Sequence, residues 1–115
     1  MAYKSFSEEI EENDRKLSGT MIKIENATMA FFDEKGSLKL GTLAVAMPQF
    51  EGKTCVSSIL LGDRNQVITK VLAEYLARTF NGIVLVSTHL AEARESEIGP
   101  ALLKLAQKLV EKAKE

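Results

Sequence analysis

The chain has 115 residues, 45% of them hydrophobic and 27% charged, with a formal net charge of -1. That length builds one domain with a core that needs no staples. The near-neutral balance excludes the broad basic field on which nucleic-acid affinity rests. One cysteine, Cys55, excludes an internal disulfide and fits a reducing compartment. The N-terminal stretch lacks the apolar core of a signal peptide, and no apolar run approaches the roughly 20 residues of a membrane span. The expected place is the cytoplasm, or the nucleus in a eukaryote, with no membrane partner.

Residues 3–13 fit two templates. Phe6 and Ile10 are four apart, as on a helix. Phe6, Glu8 and Ile10 also alternate with Ser5, Ser7 and Glu9, as on an edge strand whose charges discourage pairing with other chains. The strand is the reading adopted, so residues 1–17 become an edge strand and a turn at Asn13 and Asp14. Residues 20–25 alternate more clearly, with Ile22 and Ile24 on one side and Met21, Lys23 and Glu25 on the other. Residues 27–32 give the next strand. Asp33-Glu-Lys-Gly36 reads as a hairpin turn into a strand over 41–47, which Pro48 ends. Residues 50–53 are a loop, and 54–61 another strand.

The helix that follows has the strongest signal. Val67, Ile68, Val71, Leu72, Tyr75, Leu76, Thr79 and Phe80 recur as adjacent pairs every four residues, one broad apolar stripe. Asp63, with Gln66 three residues on, suggests a capping box, and Asn81-Gly82 a left-handed stop. Residues 83–89 read as a strand and 90–97 as a polar connection. Pro100 suits the first position of a second helix. Leu102, Leu103, Leu105, Ala106, Leu109 and Val110 supply that helix's apolar stripe.

Strands first and helices late make an α+β fold, a mostly antiparallel sheet of five to six strands with two helices on one face. The strands at 43–47 and 83–86 are apolar on both sides, which implies a cover for the second face as well. Four strands of five residues make a face of about 320 Å². A patch of that size favours a second copy packed sheet on sheet. Ala44, Ala46, Val84 and Val86 are assigned to this dimer face, because small side chains permit close approach. Leu43, Val45, Met47, Ile83 and Leu85 are left to meet the helices.

Chemistry is not expected. His89 is the only histidine and lacks a visible partner; Cys55 lies in an apolar strand, where cysteine packs as a small hydrophobe. No Cys/His cluster and no oxygen-rich loop suggests a metal, and no cofactor is expected. The acidic residues Glu8, Glu9, Glu11 and Glu12 read as a solvated face or as a surface for a basic partner.

Leu43-Ala-Val-Ala-Met47, Ser57-Ser-Ile-Leu-Leu-Gly-Asp63, Leu72-Ala-Glu-Tyr-Leu-Ala-Arg78 and Val84-Leu-Val-Ser87 resemble, in order and spacing, the proteasome assembly chaperone family, its fourth and third members in particular. The resemblance runs over residues 20–112 and rests on positions that form the fold. It implies a six-stranded sheet with two helices, and a homodimer or a heterodimer with a related chaperone chain. It implies a non-catalytic function, binding proteasome α-type subunits while the α-ring assembles. The exposed loops offer Phe50, Lys53, Glu92 and Arg94 as candidate contacts to that partner. The competing expectation is a dimeric roadblock-like or profilin-like adaptor with another client.

Overall fold

The computed structural model describes residues 3–12, 14–34, 38–48, 55–90 and 95–115. The elements run β1 (Lys4–Glu12), β2 (Arg15–Lys23), β3 (Ala27–Glu34), β4 (Thr42–Pro48), β5 (Cys55–Leu61), α1 (Gln66–Phe80), β6 (Ile83–His89) and α2 (Glu95–Ala113). The strands form one six-stranded sheet in the order β1-β2-β3-β6-β4-β5. Among the described strands only β3 and β6 pair in parallel; the other neighbours are antiparallel. Both helices lie on one face, α1 over β4, β5 and β6 and α2 over β1 and β2. This is the expected α+β architecture.

The N-terminal stretch is a strand. Glu12 pairs with Arg15 across a turn in which Asp14 adopts a φ of 61°. β2 begins at Arg15, well before the expected start at Thr20. The cause is Gly19, which interrupts the apolar alternation of Leu17 and Met21 yet shares their buried face. A Cβ there would sit 2.9 Å from Leu109 Cδ1 of α2, so the sheet trades a side chain for close approach of the helix.

The expected hairpin between β3 and β4 does not form. β3 continues through Asp33 and Glu34, and residues 35–37 of the supposed turn lie outside the described residues. β6 inserts between β3 and β4 instead. α1 carries the chain over the sheet from β5, skips β4, and returns it parallel to β3. A crossover helix is what a parallel pairing requires.

Two helix starts differ from the sequence reading. Asp63 does not cap α1. The cap position is Asn65, in a left-handed conformation with a φ of 58° and no side-chain cap bond, while Gln66 Nε2 donates back to Gly62 O at 2.8 Å. The stop at Asn81 is as expected, left-handed with a φ of 51°. α2 begins at Glu95, so Pro100 lies inside the helix rather than at its first position. Burial explains the extension: Ile98, ahead of the proline, is wholly enclosed in the core. That packing outweighs the main-chain bond a proline forfeits.

Candidate interaction surface

Strand alternation gives the sheet two unlike faces. The face under the helices holds Leu17, Met21, Ala30, Phe32, Ala44, Ala46, Val84 and Val86, all buried with the inner stripes of α1 and α2. The dimer-face assignment is therefore reversed. Ala44, Ala46, Val84 and Val86 are closed off by the helices at 0% exposure, and Leu43, Val45, Met47, Ile83 and Leu85 face away. The reason is volume. α1 brings Ile68, Leu72 and Leu76 to the sheet, and alanines on β4 make room for them. Large side chains on one layer demand small ones on the layer they meet.

Among the described residues no helix covers the opposite face. In one row across the strands Ile22 pairs with Met29, Met29 with Leu85, and Leu85 with Val45. The row toward the start of β6 holds Ala27 beside Ile83, with Met47 beside Val56 further along. Met29, Met47, Val56 and Ile83 are 38%, 48%, 45% and 39% exposed. Leu60 and Leu61 of β5 add exposed leucines at the far end. Five strands of about five residues make a flat face of about 400 Å², within the range of the largest apolar patch on an ordinary monomer, which is often functional.

One corner of this face is polar. Asp33 accepts the Ser18 hydroxyl, pairs in register with His89, and is 2% exposed. Burial pushes its carboxyl above the ordinary value. The Ser18 hydroxyl, the charge of His89 and the Lys39 amide pull it partly back. Beside this corner a depression of about 220 Å³ lies between Thr42, Asp63, Asn65 and His89. Its hydroxyls are already engaged: Thr42 donates to Arg64 O, and Thr69 and Thr88 meet at 2.6 Å.

Cys55 and His89 lie too far apart to act together as a thiol nucleophile and its base. Cys55 opens β5 at the Met47–Val56 end of the sheet, and His89 closes β6 at the Thr42–Thr88 end. About 20 Å of strand separates the two ends. Among the described residues no cluster of three or more His, Cys, Asp or Glu is arranged to hold a metal. No helix among them is long and apolar enough to cross a membrane. Phe50, Lys53, Glu92 and Arg94 lie outside the described residues.

Sequence reasoning missed the contrast between the two sheet edges. Ser57 of β5 donates to the Glu74 carboxylate of α1. At the other edge Lys112 of α2 reaches β1, bonding Ser7 O at 2.9 Å and Glu8 at 3.2 Å. Both depend on residues far apart in the chain, and no local pattern announces them.

No family model matches the chain, and no curated protein matches it. Its fold is similar to that of a chain in the crystal structure of a chaperone complex for yeast 20S proteasome assembly. The TM-score is 0.76 at 17% identity, over 99% of this chain and 97% of that one. The likeness extends from β1 to α2, so it includes the N-terminal strand that lies outside the sequence resemblance. The chain thus shares the fold of a chain from a proteasome-assembly chaperone complex, the likeness that its sequence resemblance implied.

Proposed function

We propose that this protein is a non-catalytic assembly chaperone that binds proteasome α-type subunits while the α-ring of the core particle forms. The observation that carries the reading is the full-length likeness to a chain of a proteasome-assembly chaperone complex. Two features of the site support it. A large apolar sheet face lies open, and Cys55 and His89 stand at opposite ends of the sheet. The partner of the open face is a second copy, or a related chaperone chain, packed sheet on sheet with the helices outward. The subunit-binding contacts are proposed to include Phe50, Lys53, Glu92 and Arg94, and the working compartment is the cytoplasm or nucleus.

The test is a pull-down with the tagged chain from extract of its own cells, read by mass spectrometry. Enrichment of α-type subunits without mature β-type subunits is the expected result, and charge reversal at Lys53 or Arg94 weakens it. Recovery of GTPase regulators or other clients, with no α-type subunit, would replace the reading with an adaptor scaffold of the same architecture.

A further inference from the structure

The two edges of the sheet are built differently. The β1 edge is guarded: Glu9 and Glu11 stand exposed on it, and Lys112 occupies the Ser7 carbonyl. Charges along an edge, and a lysine on its main chain, are how a sheet refuses further strands. Among the described residues β5 itself carries no such guard. From Cys55 to Leu61 it carries no charge and no proline, and Val56, Leu60 and Leu61 are exposed. Among the described residues it pairs on one side only, with β4. A register shift opposite Leu43 and Ala44 leaves residues 55–59 as a regular ladder, about 17 Å of unpaired edge.

Charge decides what can pair there. The Glu74 carboxylate sits over this edge, bonded to Ser57, and none of the ion pairs among the described residues includes it. A second copy added antiparallel about Ser57 would bring its own Glu74 to the same spot. Two carboxylates would then face each other, which opposes pairing. A strand carrying a basic residue at that position meets Glu74 with the opposite sign. On the other side of the ladder Val56, beside Met47, continues the open apolar face and calls for an apolar neighbour.

We propose that β5 accepts an extended segment of a client protein by strand addition, with a lysine or arginine beneath Glu74 and an apolar side chain beside Val56. Main-chain bonds supply the affinity and these two positions supply the selection. Only the client's identity rests on the chaperone reading above; the pairing follows from the edge itself.

The probe is a fluorescein-labelled peptide, Val-Thr-Val-Lys-Val-Thr-Val, with a twin that carries Glu in place of Lys, titrated by fluorescence anisotropy. The Lys peptide is expected to bind at least about tenfold tighter than its twin, since like charges in a contact are strongly unfavourable. Glu74→Lys reverses that preference. Val56→Lys, at an exposed position that leaves the circular dichroism spectrum unchanged, abolishes binding of both peptides. No binding of the Lys peptide, or equal binding of both peptides to wild type and Glu74→Lys, overturns the proposal. Undiminished capture of α-type subunits by Val56→Lys overturns α-type subunits as the client of this edge. If wild type binds the peptide as expected but captures no α-type subunit, the edge site stands and the proteasome reading falls.

Discussion

Gly41 shows how tightly one residue can be specified by a main-chain neighbour. Its N–H donates to the Ser87 hydroxyl at 2.9 Å, and a Cβ would fall 2.0 Å from the Thr88 carbonyl oxygen. A side chain that meets backbone cannot be relieved by a rotamer change, so β4 and β6 would have to part. Gly41→Ala is expected to cost about 3 kcal/mol or more, read as a fall in the urea midpoint at unchanged slope. Asp33 makes a different kind of prediction. Burial raises its carboxyl above 3.8 in the folded chain, so the folded state holds this proton more tightly than the unfolded state. The contribution of Asp33 to stability therefore falls as pH rises through the window between 3.8 and the folded value. Asp33→Asn removes that slope. Urea unfolding of both proteins between about pH 4 and pH 7 should show wild type losing ground to the variant as pH rises. A pH-independent difference would mean that burial does not govern this carboxyl.

At the scale of elements, α2 holds a penalty that the fold accepts. Pro100 has no N–H for the carbonyl four residues back, but the turn ahead of it carries Ile98 into the core. The proline itself is exposed, so replacing it loses little packing. Pro100→Ala should stabilise the chain by about 1 kcal/mol, the restored helix bond being partly offset by a more flexible unfolded state. A rise in Tm checks it; a fall would mean that the ring holds the first turns in place. The same proline shows why the start of α2 was not legible. Local chemistry placed it at the first turn, and a distant hydrophobic contact extended the helix past it. α1 and β6 were legible because a sustained stripe and a continuous apolar run are local signals. The start of β2 was hidden by Gly19, and the position of β6 between β3 and β4 is a property of the whole sheet.

For the whole molecule the decisive quantity is which sheet face is left uncovered. The sequence announced that two apolar faces exist, since Leu43, Val45 and Met47 alternate with Ala44 and Ala46. It did not announce which one the helices take, because that depends on the fit of large stripe residues on α1 against small ones on β4. Adjacent residues now give opposite outcomes. Ala46 is wholly enclosed beneath α1, and Val45 lies on the open face beside Leu85. Ala46→Asp places a carboxylate in an apolar interior without a partner, at a cost of several kcal/mol against a total stability of about 5–15 kcal/mol. It should yield unfolded or insoluble protein. Val45→Glu leaves that core intact and puts a charge at the middle of the open face. If a second chain packs there, wild type should scatter light as a dimer, and this variant as a monomer with an unchanged circular dichroism spectrum. A dimer that survives Val45→Glu would place the contact elsewhere. The choice of small residues toward the helices would then govern the core alone, and the open face would belong to the client.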